Sequence, residues 1–91
     1  MRRITSIKNA IKYFSENTQR YERKNSNGET YFVYMPPASF RSLHITYPHF
    51  DDRGKLLAES TRIFKSFQWK NYVEILCRDM DKISRIVLYY E

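Results

Sequence analysis

Basic side chains are concentrated in the first third of this 91-residue chain. Residues 1–28 contain seven of the sixteen lysines and arginines but only two of the ten acidic residues, while the whole chain has a net charge of +6. The seven cations are Arg2, Arg3, Lys8, Lys12, Arg20, Arg23 and Lys24. Lysine and arginine neutralise phosphates and release their counterions. The cluster therefore predicts a binding site for nucleic acid, with an acidic protein as the alternative partner.

Aromatic side chains form a second set that could recognise a partner. Those on the predicted outer side of the strands are Phe32, Tyr34, Tyr72 and Tyr89, accompanied by His44, Leu76 and Arg85. RNA-recognition domains stack bases on such rings, but they have the element order β-α-β-β-α-β and a glycine-aromatic motif, which this sequence does not match. Because tyrosine combines a large apolar area with a polar tip, we favour a homodimer or partner-protein interface on this face.

Two histidines and two aspartates make up the third set, which consists of His44, His49, Asp51 and Asp52. Histidine beside carboxylates can bind a divalent metal or transfer protons, as in a small nuclease. The spacing of these residues matches no established metal or nucleophile motif. Helix capping by Asp51 or Asp52 explains them more simply. We therefore expect a protein that is not an enzyme and binds no metal.

No small-molecule cofactor is expected either. The two glycines, Gly28 and Gly54, are too few for a glycine-rich phosphate-binding loop. Cys77 is the only cysteine, so an internal disulfide is excluded, and the alternation of residues 71–78 places Cys77 on the core face. Trp69 could anchor the end of the domain or a partner, and the sequence does not decide between them.

Hydrophobic periodicity predicts the elements that position these residues. Two segments, residues 4–24 and 52–67, have apolar side chains three and four positions apart, which indicates amphipathic helices. Four segments alternate apolar and polar residues or are rich in β-branched and aromatic residues, which indicates strands. These strands span residues 29–35, 41–47, 71–78 and 83–90.

The predicted fold is α+β with the order α-β-β-α-β-β, in a single domain of residues 1–91. Each helix has one apolar stripe to bury, so we expect both to pack on one face of a four-stranded antiparallel sheet. Lys8, Lys12 and Arg23 then lie opposite the apolar stripe of the first helix. There they form either a binding surface or an ordinary solvated face.

Composition narrows the class of protein further. The longest runs of hydrophobic residues, such as 86–90, have only five residues, whereas a membrane-spanning helix needs about 20. No apolar segment follows Arg2 and Arg3, as it would in a secretory signal. We therefore expect a cytoplasmic, non-enzymatic regulatory module that binds nucleic acid through its first helix. The alternative is a protein-interaction or inhibitor subunit, of the kind that mobile genetic elements encode, which acts through its aromatic face.

Overall fold

The computed structural model describes residues 1–65 and 72–91. In chain order its elements are β1 (Arg2–Ile4), α1 (Ile7–Asn17), β2 (Gln19–Lys24), β3 (Thr30–Met35), β4 (Phe40–Phe50), β5 (Leu56–Lys65), α2 (Tyr72–Arg78) and β6 (Arg85–Tyr90). Four strands form one antiparallel sheet in the order β1-β6-β4-β5. The other two, β2 and β3, form a separate antiparallel hairpin. The α+β class predicted from the sequence is therefore confirmed.

The hydrophobic core lies between one face of the four-stranded sheet and the two helices. Leu43 of β4 lies opposite Leu88 of β6 in the strand register. Two positions further along β4, Ile45 lies opposite Ile86, so these pairs line the same face. The buried residues that join them are Ala10, Tyr13, Phe14, Phe40, Tyr72 and Leu76. We call the sheet together with the two helices the body of the molecule.

The β2–β3 hairpin stands outside this core, and every residue of β2 is exposed. Its turn is closed by Asn25, whose Oδ1 accepts hydrogen bonds from the backbone N–H groups of Asn27 and Glu29. Gly28 completes the turn with a φ of 80°, which residues with a Cβ rarely adopt. The molecule is correspondingly elongated, with a radius of gyration of 15.7 Å where a compact domain of this length has about 12 Å.

The predicted helix over residues 4–24 is wrong at both ends. The helix begins after Ser6, whose hydroxyl accepts a hydrogen bond from the backbone N–H of Asn9. It ends at Asn17, with Thr18 as its C-cap, and the following residues form β2. Between Phe14 and Tyr21 the sequence contains no apolar residue, so a longer helix would have had no further stripe to bury.

Two further predicted elements are of the wrong type. Within the predicted helix 52–67, residues 56–65 form strand β5, while residues 66 and 67 lie outside the described residues. Within the predicted strand 71–78, the described residues form helix α2 instead. The reason is that Tyr72 and Leu76, one helical turn apart, both enter the core.

The predicted strands 29–35, 41–47 and 83–90 correspond to β3, the first part of β4 and β6, but their pairing differs from the prediction. Strand β3 pairs with β2, and β6 pairs with both β1 and β4. The predicted order α-β-β-α-β-β is therefore wrong. The observed order is β-α-β-β-β-β-α-β.

Candidate nucleic-acid interface

The seven cations of the N-terminal third lie on three elements rather than on one helical face. Arg2 and Arg3 belong to β1, Lys8 and Lys12 to α1, and Arg20, Arg23 and Lys24 to β2. The predicted basic face of a single helix is therefore wrong. All seven residues are exposed. Among the described residues, none of them lies within 4.0 Å of a carboxylate oxygen, so their charges are available to a partner.

Members of the basic set and of the aromatic set meet on the β2–β3 hairpin. Strand β2 contributes Arg20, Arg23 and Lys24, and β3 contributes Phe32 and Tyr34. The pairing of the strands places Arg20 directly opposite Tyr34. The hairpin thus combines cations with aromatic rings, and proteins that bind single-stranded nucleic acid use both types of side chain.

Two arginines lie over aromatic rings, one on each face of the hairpin. The Arg20 guanidinium carbon is 4.6 Å from the centroid of the Phe32 ring. On the other face, that of Arg23 is 5.4 Å from the centroid of Tyr21. Such cation–π contacts hold the guanidinium groups beside the rings, and Arg23 also donates a hydrogen bond to the backbone carbonyl of Glu22 at 3.2 Å. Tyr21 also belongs to this site. A helix over residues 4–24 would not have placed it beside the rings of β3, so the sequence analysis missed it.

A cavity of about 270 Å³ lies at the base of the hairpin. Arg20 and Tyr34 line it on the hairpin side, and Ser15 and Thr18 line it at the end of α1. Phe14, Tyr72 and Val73 of the body form its remaining walls, so the cavity lies between the hairpin and the hydrophobic core.

Tyr72 is not available to a partner, and its predicted place on an exposed aromatic face is wrong. It is 2% exposed, and its ring stacks on Phe14 with 5.0 Å between the ring centroids. Its hydroxyl donates a hydrogen bond to the backbone carbonyl of Lys65. Burial raises the pKa of Tyr72 to about 12. Leu76 is also fully buried, so α2 contributes to stability at these two positions.

The sheet face opposite the core carries the other predicted aromatic residue, Tyr89. The strand register places Arg3 directly opposite Tyr89, and the ring of His44 meets that of Tyr89 edge-on with 5.2 Å between the centroids. Arg85 lies on the same face, opposite Thr46. This face therefore offers a second combination of rings and cations, but Tyr89 is only partly exposed.

The histidines and aspartates of the third set lie along the β4–β5 hairpin. His44 Nε2 is 3.1 Å from Ser42 Oγ, and His49 Nε2 is 2.7 Å from Ser60 Oγ. Asp51 accepts hydrogen bonds from the backbone N–H groups of residues 53 and 55, so it closes a turn between two strands rather than capping a helix. Within residues 1–65 and 72–91, no three His, Cys, Asp or Glu side chains are grouped closely enough to hold a metal ion.

Asp79 is a buried acid that the sequence motifs did not indicate. Its carboxylate accepts hydrogen bonds from the Tyr47 hydroxyl at 2.8 Å and from the Arg78 guanidinium at 3.0 Å. The bonds from Arg78 and then from Tyr47 lower the pKa of Asp79 to about 2. These hydrogen bonds link strand β4 to the end of α2, so they stabilise the packing of these two elements. The adjacent Arg-Asp pair at the end of α2 was the only signal in the sequence.

The two remaining predictions about single residues have different outcomes. Cys77 lies on α2 and is exposed, so its predicted place on the core face is wrong. The error follows from the element type, because α2 turns Tyr72 and Leu76 inward and leaves Cys77 outside. Trp69 lies outside the described residues.

Comparison with known proteins finds no family model, no curated protein and no solved structure that matches this chain significantly. In the part of the chain that the structure describes, neither helix is long and apolar enough to cross a membrane.

Proposed function

We propose that this protein is a non-enzymatic nucleic-acid-binding module that contacts its partner mainly through the β2–β3 hairpin. The observation that carries the proposal is the meeting of three cations and several exposed rings on one hairpin. Arg20, Arg23 and Lys24 have no carboxylate within ion-pair distance among the described residues. Their charges are therefore open to the phosphates of a partner.

The shape of the hairpin supports the same function. A two-stranded ribbon can enter a nucleic-acid groove or lie along a strand. All residues of β2 are exposed, so all three cations can reach phosphates without rearrangement of the core. The cations of β1 and α1 add to the field that attracts a polyanion.

A charge-reversal comparison tests where the binding site lies. Arg23→Glu with Lys24→Glu changes the charge of β2, and Lys8→Glu with Lys12→Glu changes the charge of α1 by the same amount. We expect the β2 pair to weaken binding roughly tenfold or more, because it removes two phosphate contacts and adds repulsion. The α1 pair should weaken binding much less. Fluorescence anisotropy with labelled DNA and RNA measures both effects.

The dependence of affinity on salt tests the phosphate contacts themselves. Three contacts with a single strand predict that log K falls with log salt with a slope of about −2, measured between about 50 and about 200 mM salt. The β2 double variant should have a slope shallower by about 1.4. A slope near zero for the unmodified protein would contradict the proposal, as would a larger effect of the α1 pair.

Open strand edges favour a second candidate function, in which the hairpin pairs with a protein or with a second copy of the chain. The hairpin contains two strands, so each has an edge without a partner among the described residues. Such edges can accept a further strand. Here Tyr34→Ala should disrupt association, and the charge reversals should matter little. Sedimentation at increasing protein concentration, with and without nucleic acid, distinguishes the two functions.

Incubation with nucleic-acid substrates tests the non-enzymatic part of the proposal. We expect single- and double-stranded substrates to remain intact in the presence of magnesium or manganese. Cleavage that is lost in His44→Ala or His49→Ala would instead support the nuclease hypothesis.

A further inference from the structure

We infer that the nucleic acid bound by the hairpin is an unpaired strand, and that its bases stack on the exposed rings of β2 and β3. This inference rests on the proposed function and specifies the class of nucleic acid that the hairpin binds. It is carried by the distribution of rings, by the position of the arginines beside them, and by the composition of β3.

The first observation is that both faces of the hairpin present aromatic rings to solvent. Tyr21 and Tyr31 lie on one face, and Phe32 and Tyr34 lie on the other. Each of the four exposes between 40% and 48% of its surface. In a duplex the faces of the bases are covered by their neighbours, so only an unpaired strand offers free base faces to such rings.

The second observation is that each face pairs a ring with a guanidinium group. Arg20 lies over Phe32, and Arg23 lies over Tyr21. A guanidinium is planar, stacks on π systems and binds phosphate through paired N–H donors. A nucleotide bound at either position would therefore find two planar groups against which its base can stack, the ring and the guanidinium over it, and a cation for its phosphate within a few ångströms.

The third observation is that β3 contains no side chain of the types that read base edges in a duplex groove. A ribbon that reads a duplex groove presents side chains such as Arg, Lys, Asn and Gln to the edges of the bases. Strand β3 contains none of these, and its six residues are Thr30, Tyr31, Phe32, Val33, Tyr34 and Met35. Within the hairpin, the cations lie on β2 alone, together with Gln19 and the acid Glu22. One strand of the hairpin is thus suited to phosphates and the other to base faces, which matches recognition of a single strand.

The test compares four probes of about twelve residues or base pairs each. They are oligothymidylate, oligouridylate, an abasic deoxyribose-phosphate strand of the same length, and a DNA duplex. Stacking on a ring contributes about tenfold in affinity for each base engaged. We therefore expect either base-bearing strand to bind at least about tenfold more tightly than the abasic strand and the duplex. The ratio of the affinities for oligothymidylate and oligouridylate shows whether the protein prefers DNA or RNA.

A matched pair of variants assigns the stacking to the hairpin. Phe32→Leu removes a ring and keeps an apolar side chain, and Phe50→Leu makes the same change at an exposed position of β4. Phe32→Leu should weaken oligothymidylate binding about tenfold and leave the affinity for the abasic strand unchanged. Phe50→Leu should change neither. A fluorescent base analogue in the strand should be quenched by the unmodified protein and less by Phe32→Leu.

The possible failures are distinguishable. Equal affinity for the abasic and base-bearing strands, with a steep salt dependence, would overturn the stacking inference and leave the proposed function intact. Tighter binding of the duplex than of the base-bearing strands would also overturn the inference and leave the proposed function intact. Equal effects of Phe32→Leu and Phe50→Leu would also overturn the inference. Failure to bind any of the probes at low salt would overturn the proposed function together with this inference.

Discussion

In the body of the molecule Phe14 is fully buried, with ring centroids 5.0 Å from Tyr72 and 5.6 Å from Phe40. In the β2–β3 hairpin Phe32 is 48% exposed, and the guanidinium of Arg20 lies over its ring. The same residue type therefore stabilises one region and remains available for contact in the other. Aromatic content therefore does not identify a binding surface, whereas the neighbours of each ring do.

The two regions also differ in what holds them together. The body combines cross-strand pairing with one continuous hydrophobic cluster from the sheet and both helices. The hairpin has one pair of strands, a turn built around Asn25 and Gly28, and one partly buried side chain, Val33. Two-stranded hairpins are marginally stable by themselves in water. We therefore expect the hairpin to gain order when its partner binds.

The largest effect should come from removing the same ring in the two regions. Phe14→Ala leaves a cavity in the core and should lower the free energy of unfolding by about 4 kcal/mol. Phe32→Ala removes a ring that is about half exposed and lies outside the core, so it should lower that free energy by less than about 1 kcal/mol. Urea unfolding of both variants measures the difference. Similar losses for the two variants would contradict the division between body and hairpin.

The next largest effect is a pH dependence of stability that comes from the body and not from the hairpin. The pKa of Asp79 in the body is about 2 in the folded protein, below its ordinary value of 3.8, so its ionised form stabilises the fold. This contribution is fully present above about pH 4 and is lost as the pH falls towards about 2. Asp79→Asn should lower the melting temperature at neutral pH, and the gap from the unmodified protein should narrow over that range.

Tyr47→Phe provides the matched change for this prediction, because it removes one of the two groups that bind the Asp79 carboxylate. It should lower the melting temperature by less than Asp79→Asn and show the same narrowing of the gap. A gap that is constant from neutral pH to about pH 2 would show that the carboxylate does not stabilise the body.

The smallest effect concerns the two hairpin turns. Gly28 and Gly54 both have left-handed backbone, with φ values of 80° and 81°. An alanine there costs about 1 kcal/mol, which corresponds to about a fivefold change in a local opening equilibrium. Gly28→Ala should accelerate amide exchange in β2 and β3 about fivefold and leave β6 unchanged. Gly54→Ala should instead affect the ends of β4 and β5, and acceleration of β6 by Gly28→Ala would contradict independent opening of the hairpin.

The strands that the sequence predicted correctly contain β-branched and aromatic residues in both regions, as in β3 and β6. The errors arose where one pattern suits two structures. Residues 72–78 alternate like a strand, yet Tyr72 and Leu76 are also one helical turn apart, and contact with Phe14 decides in favour of a helix. Residues 56–65 have helical spacing but pair with β4, because the turn at Asp51 and Gly54 directs the chain back along it.

The candidate site was predictable as two sets of residues but not as one surface. Composition and charge identified Arg20, Arg23 and Lys24, and strand propensity identified Phe32 and Tyr34. Their meeting depends on the change from helix to strand after Thr18, which local periodicity did not reveal. A helical interpretation of residues 4–24 places these cations on a different element from the rings.

Mapping of backbone amide shifts by NMR during titration with oligothymidylate shows which element contacts the strand. If the hairpin is the binding site, the largest shifts lie in residues 19–35, these shifts weaken as salt is raised, and the exposed residues of α1 shift much less. Shifts centred on Lys8 and Lys12 with an unchanged hairpin would contradict binding at the hairpin.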